Sequence, residues 1–195
     1  TGNFDTVFAL GQYIYTQPMP QNHFLYYSKL AVDTAGNLAA LGYSGTLGNT
    51  PTADPIGHIV ARLSKDGKPI RSFTSGYLRY YGGQDTGATT QFNYGSDDEL
   101  RAITQLNSGR ILLAGQATTS DGTIRENAVV ALTAKGKIDS SFGLNGRTVP
   151  LPATTNAIPS PVRVLYHLDD DEVLTNKDDQ TLYKLGANGQ PDSSW

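Results

Sequence analysis

The sequence predicts an all-β protein, a β-propeller-like array of three four-stranded blades that two copies would complete as a six-bladed ring. Three observations predict it. A Gly turn followed six residues later by an aromatic recurs four times, pairing Gly2 with Phe8, Gly67 with Phe73, Gly136 with Phe142 and Gly189 with Trp195. The aromatics stand 65, 69 and 53 residues apart, a spacing of the kind that marks β-repeat architectures. The segments between them read as short strands, and none carries a sustained apolar period of about 3.6 residues.

Each repeat divides into four strands. The first covers 28–32, 100–106 and 162–168, where apolar residues alternate with period two as a half-buried strand requires. A turn follows at Asp33-Thr34-Ala35-Gly36-Asn37, Asn107-Ser108-Gly109-Arg110 and Asp169-Asp170-Asp171-Glu172. Asn, Asp and Gly suit hairpin turns because they tolerate positive φ or bond their own backbone. The second strand is nearly all apolar at 38–42, 111–115 and 173–175, the pattern of an inner strand with a sheet on each side. The third strand covers 58–63, 128–132 and 182–185 and ends at the motif turn. The fourth follows the motif aromatic at 12–15, 77–80 and 147–149. Four antiparallel strands joined by short turns make a propeller blade.

Composition narrows the function classes. The chain has 195 residues, 38% hydrophobic and 17% charged, with 21 Gly and 11 Tyr, enough for one domain or repeat array with a real core. A net charge of −3 with no run of Lys or Arg argues against nucleic-acid partners. No apolar stretch approaches the roughly 18 residues a membrane span needs. The absence of cysteine excludes disulfides, thiolate metal sites and Cys nucleophiles. Little Lys and Glu beside abundant Thr, Asn, Gly and Tyr points to an extracytoplasmic bacterial protein: secreted, periplasmic or at the cell surface. No signal peptide is apparent, and the chain opens inside a repeat motif at Thr1-Gly2, so upstream sequence is expected to have been removed.

The stretch from Leu100 to Phe142 resembles the delta-sixty-type repeat. Its Asn107-Ser108-Gly109-Arg110-Ile111-Leu112-Leu113-Ala114-Gly115 is similar to that repeat's "PDGKILVAG" strand, and Gly136-Lys137-Ile138-Asp139-Ser140-Ser141-Phe142-Gly143 to its "DGSLDTSFG". The resemblance extends over essentially the whole chain. The first repeat departs from the pattern at Ile70 and Arg71. The third lacks the turn Gly at 169–172 and shortens its loop at 177–180. The resemblance implies a propeller in a large bacterial surface or secreted protein, and it implies no catalytic residues.

Counting strands exposes a closure problem. The chain reads as an orphan fourth strand at 1–20, a repeat at 21–95, a second at 96–158 and a partial third at 159–195. The two ends are complementary halves of one blade. Three blades fall below the usual range of about four to eight. A homodimer in which each N-terminal strand completes the partner's last blade is therefore expected. The alternatives are a monomeric open array, a different three-sheet packing, or a piece of a longer chain.

Candidate chemistry is sparse. Gly42-Tyr43-Ser44-Gly45 resembles part of a nucleophile elbow, but position 46 is Thr and Gly42 matches the strand-ending Gly115 of the next repeat. His23, His58 and His167 fall in unrelated repeat positions and do not cluster in sequence. Asp169, Asp170 and Asp171, with Glu172, offer hard oxygen ligands to Ca²⁺, though without EF-hand spacing. Asp97-Asp98-Glu99 and Ser120-Asp121-Gly122 are weaker candidates for the same ion. Thr1 as an N-terminal nucleophile would need a different architecture.

Tyrosine is the informative asymmetry, since nine of the eleven lie before residue 98. Tyr77, Arg79, Tyr80, Tyr81, Gln84 and Asp85 join aromatics, an Arg and polar groups around two Gly in one segment. Tyr-rich loops suit recognition because the ring gives contact area at low entropy cost. Inter-blade packing is the competing use of these rings. Loops at 44–56 and 117–126 are the other expected contact elements. The expectation is a non-catalytic secreted or surface module that binds a protein or glycan, or acts as a scaffold. One alternative is a propeller hydrolase or lyase with carboxylates at the channel, disfavoured by the apolar inner strands. Another is a structural fragment of a larger repeat protein.

Overall fold

A computed structural model describes residues 23–46, 57–70, 72–73, 78–79, 99–118, 125–148, 162–176 and 181–195. Strands β1 (His23–Val32), β2 (Leu38–Thr46), β3 (Gly57–Leu63) and β4 (Leu78–Arg79) form a first antiparallel sheet in chain order. The middle sheet repeats that order with β5 (Glu99–Gln105), β6 (Ile111–Thr118), β7 (Arg125–Leu132) and β8 (Arg147–Thr148). The third sheet holds β9 (Leu165–His167), β10 (Val173–Asn176) and β11 (Leu182–Leu185). The described residues contain no α-helix, so the protein is all-β. None is a helix long and apolar enough to cross a membrane. The N-terminal strand expected at 12–15 lies outside the described residues.

Local chemistry repeats from sheet to sheet. The β1–β2 turn closes by Gly36 N–H to the Asp33 carbonyl (2.9 Å) and Asp33 N–H to the Asn37 carbonyl (3.0 Å). Leu106, Gly109 and Arg110 make the same pair of bonds at 2.9 and 2.8 Å. Residues 169–172 close the third turn without a Gly, through Leu168 N–H to the Glu172 carbonyl at 2.8 Å. Asp170 and Asp171 take the left-handed conformation there, at φ 56° and 60°. Asp visits that region more readily than most residues because its short side chain bonds locally. A bulge interrupts β1 between Tyr27 and Lys29 and β5 between Leu100 and Ala102, the same repeat position in both sheets. It reverses side-chain parity, and so Leu100 and Ile103 face one core together.

The third repeat departs from expectation at its first strand. Residues 162–164 are not strand, and β9 begins only at Leu165. The Asn176 carboxamide oxygen accepts the N–H groups of Arg163 (2.7 Å) and Val164 (2.9 Å), so a side chain replaces the ladder there. The strands beside the two expected contact loops are also longer than the sequence suggested. β2 runs on to Thr46, β6 runs to Thr118 and β7 starts at Arg125, which shortens both connections.

The middle sheet is buried on both faces, as the two-sided apolar run of its second strand requires. Ile111, Leu113, Val130 and Leu132 pack toward Ala39, Leu41, Val60 and Phe73 of the first repeat. Leu112, Ala114, Val129 and Ala131 pack toward Val173, Leu185 and Phe142. The first strands lie in sequence, β1 beside β5 and β5 beside β9.

Candidate functional site

All the short turns gather at one end of the sheets. Leu38 pairs with Leu63, Ile111 with Leu132 and Val173 with Leu185, so each hairpin turn lies beside the motif turn of its own repeat. The motif turns close at Ser64–Gly67, Thr133–Gly136 and Gly186–Gly189, each through a 2.8 Å bond from the Gly N–H. Most described ion pairs lie on this turn face.

Between the first two sheets the centre is Asp33. Its carboxylate accepts Asn37 N–H (2.7 Å) and Gln105 Nε2–H of the middle sheet (3.0 Å), and Arg62 stands 3.4 Å away. Arg62 also donates to the Ala134 carbonyl in the middle sheet's motif turn, at 3.1 Å. Burial pushes the Asp33 carboxyl up, but hydrogen bonds from Asn37 and Ala35 and the Arg62 charge outweigh it. The group is held below the ordinary carboxylate value.

Between the middle and third sheets the same task falls to Arg110. It donates to Asp139 (2.8 Å), to the Ser141 hydroxyl (3.3 Å) and across the interface to the Ala187 carbonyl (2.7 Å). Its guanidinium lies 5.7 Å from the centre of the Phe142 ring, within cation–π range. Asp139 also accepts the Ser141 N–H (3.1 Å) and hydroxyl (2.5 Å). Burial raises its pKa, and the Ser141 and Arg110 hydrogen bonds lower it by more. Thr148 Oγ1 donates to the Gly189 carbonyl, and Gly143 N–H donates to the Asn188 carbonyl at 2.7 Å.

In the third repeat Asp192 binds the Ser194 N–H (2.9 Å) and hydroxyl (2.6 Å) as Asp139 binds those of Ser141. Its cation is Lys184, 2.8 Å from Asp192 and 3.1 Å from Glu172. The hydrogen bond from Lys184 drives the Asp192 carboxyl far down, and the bonds to Asp192 and Glu172 raise Lys184.

Of the described residues singled out from sequence, His167, Asp169, Asp170 and Asp171 lie at this turn end, while His23, His58, Arg79 and Gly42 to Gly45 lie away from it. Gly42, Tyr43, Ser44 and Gly45 lie wholly inside β2, which runs on to Thr46, so the sharp turn that a nucleophile elbow places at the Ser is missing. Asp169 and Asp170 are exposed. Asp171 instead turns to Ser108 N–H (3.4 Å) and His167 Nε2 (3.7 Å). Among the described residues no group of three or more His, Asp or Glu is arranged to hold a metal ion. Arg79 is in β4, its backbone paired with Gly57. Tyr77, Tyr80, Tyr81, Gln84 and Asp85 lie outside the described residues, as do Thr1, Asp97, Asp98, Ser120, Asp121 and Gly122.

Sequence reading passed over Arg62, Arg110, Lys184 and their carboxylates. The signal was present, because Asp139 and Asp192 both stand three residues after the motif Gly. No protein-family model matches the chain and no curated protein matches it.

Proposed function

We propose that the chain is a propeller-type scaffold of the delta-sixty repeat class, secreted or surface-exposed. In this reading it recognises a protein or glycan surface through the Tyr-rich segment carrying Tyr77, Arg79, Tyr80, Tyr81, Gln84 and Asp85. The observation that carries the reading is the division of labour between the two ends of the sheets. At the turn end, Asp33, Asp139 and Asp192 and their cations are tied into contacts within and between repeats. Carboxylates held this way are structural ties rather than free acids or bases.

The other end is where connections vary. Arg79 pairs with Gly57 and Glu99 with Gln116, so residues 80–98 leave and re-enter the sheets at the end away from the turns. The connections at 47–56 and 119–124 depart from that same end. Loops on a rigid scaffold are where binding residues concentrate. The succession of β1, β5 and β9 supports a propeller arrangement, in which first strands line a common axis. β11 is the outer strand of the third sheet among the described residues, the place at which a fourth strand such as 12–15 would add.

Glycan-array and pull-down binding test the assignment, using the chain beside Tyr80→Ala and Tyr81→Ala variants. Binding that is lost in variants with an unchanged unfolding midpoint is the expected result. Equal binding by all three proteins would remove the segment from any recognition role.

A further inference from the structure

We propose that Arg101, Arg163 and Lys29, at the bulges of the first strands, form a binding site for an acidic glycan whose carboxylates are widely spaced. The site runs along the edges where β1, β5 and β9 lie side by side. The inference rests on the stacking of the first strands and not on the Tyr-rich segment.

Each of β1, β5 and β9 ends its sheet, so one edge of every first strand has no partner strand among the described residues. β1 lies beside β5 and β5 beside β9, which brings these edges together. From Leu100 to Leu106 every residue is buried except Arg101. The bulge explains the exception. Leu100 packs between the first and middle sheets and Ala102 between the middle and third, so Arg101, standing between them, belongs to neither packed face. Bulges at sheet edges re-aim a side chain in this way.

Strand register carries the position to the other sheets. Gln105 pairs with Ile111, His167 with Val173 and Val32 with Leu38, each at the start of a second strand. Four residues earlier stand Arg101, Arg163 and Ser28. Arg163 repeats the middle pattern, since it is exposed while Val162 before it is fully buried. Asn176, itself 5% exposed, fixes the backbone there by accepting the N–H groups of Arg163 and Val164. In the first sheet the bulge residue is Ser28, and the exposed cation stands one place on, at Lys29. Each sheet therefore contributes an exposed cation at or next to its bulge. The chain as a whole has a net charge of −3, so the recurrence runs against the average.

The spacing of these cations selects the ligand. Guanidinium groups grip planar carboxylates through two parallel N–H bonds, and an ammonium adds a point charge. Stacked sheets stand about 10 Å apart, so the edges offer one positive charge in each such interval. A nucleic-acid duplex carries a charge every ~1.7 Å and is far too dense for that spacing. An acidic peptide, at about 3.3 Å per extended residue, is also denser. A polysaccharide with a single uronate in each disaccharide comes closest, and it brings little unpaired charge to the site.

Isothermal titration calorimetry of the whole chain with hyaluronan oligosaccharides tests the proposal, because hyaluronan has one carboxylate in each disaccharide. Oligosaccharides that place carboxylates on adjacent sheets should bind about tenfold tighter, or more, than the single disaccharide. Arg101→Gln and Arg163→Gln should each weaken binding about tenfold, the loss of a charge-assisted hydrogen bond. Arg101→Lys should recover part of that loss. Lys65→Gln, on the first motif turn, and Tyr80→Ala should bind as the parent does. Arg101, Arg163 and Lys65 are all exposed, so circular dichroism of their variants should not change. Absence of binding, an equal loss in Lys65→Gln, or unchanged affinity in the Arg101→Gln/Arg163→Gln double variant would each overturn the proposal. Tighter Arg-dependent binding of poly-glutamate would also overturn it, and would assign the edges to an acidic protein segment. Glycan binding lost in Tyr80→Ala but kept in the double variant would overturn this inference and support the recognition reading. Arg-dependent glycan binding in a chain with no ligand for Tyr80 and Tyr81 would overturn only the recognition reading.

Discussion

Gly189→Ala probes the seating of one sheet on the next. Gly189 has φ +77°, where an L side chain costs about 1 kcal/mol. The added methyl would also stand 2.8 Å from the Phe142 ring, which is fully buried and has no room to swing away. Overpacking of that kind costs about 1–3 kcal/mol, giving an expected total of about 2–4 kcal/mol. Gly36 is the internal control. It has φ +83°, but the nearest atom to an added methyl is Lys65 Cβ at 3.2 Å, on an exposed residue free to shift. Gly36→Ala should therefore cost only about 1 kcal/mol. Urea unfolding of both variants and the parent measures the difference. Phe142→Leu in the Gly189→Ala background should recover part of the loss, with a coupling of about 0.5–3 kcal/mol. Equal destabilisation by the two Gly substitutions, or strict additivity with Phe142→Leu, would refute the seating of the third sheet's turn on the ring.

Arg110→Ala removes the Asp139 pair, the bond to Ala187 and the cover over Phe142, and should cost about 1–3 kcal/mol by denaturant titration. Arg110→Lys should restore only part, since an ammonium lacks the planar fork that reaches Asp139 and Ala187 together. Asn176→Ala leaves the Arg163 and Val164 N–H groups without their acceptor and should cost about 1–3 kcal/mol, with Asn176→Asp close to the parent. Asp33 and Asp139 both titrate below the ordinary carboxylate value in the folded chain. The unfolded chain therefore takes up protons first on acidification. Stability from these groups is fully present above about pH 5 and declines as the pH falls through about 4 and below. Asp139→Asn should lower the neutral-pH stability and flatten the acid decline, as thermal unfolding across that range will show.

The β class was legible because strand signals are local. The two-sided apolar run at 111–115 marked a sheet covered on both faces, and Leu112 and Leu113 do point into different cores. The motif Gly turns fell where period-two strands ended. The late start of β9 was not legible, because it depends on the side chain of Asn176 reaching Arg163 and Val164 across the sheet. The strand extensions into the expected loops were hidden by polar residues such as Ser44 and Gln116, which pair through their backbones regardless of side-chain character. The interlocked turn face was missed for a related reason. Arg62 and Lys184 share one repeat position, but the middle repeat has Ala131 there and takes its cation from Arg110 in the hairpin, so no unbroken column of cations reveals it.

That drift follows a physical rule. Three positions meet at the turn end of each sheet: the last hairpin residue (Asn37, Arg110, Glu172), a strand residue (Arg62, Ala131, Lys184) and the third residue after the motif Gly (Ile70, Asp139, Asp192). Each repeat places one cation among them, beside at least one carboxylate. In the first repeat the carboxylate comes from Asp33, leaving Ile70 free to join the core. Such a site constrains net charge and reach rather than residue identity at any one position. Its cation also depends on what lies ahead. Arg62 and Arg110 stand on sheets that have a following sheet, and both extend a guanidinium to that sheet's motif turn, at Ala134 and Ala187. Lys184 stands on the third sheet and satisfies its ammonium on Glu172 and Asp192 of its own repeat. Among the described residues, the forward electrostatic tie therefore stops at the third sheet, where the cation is neutralised within its own repeat.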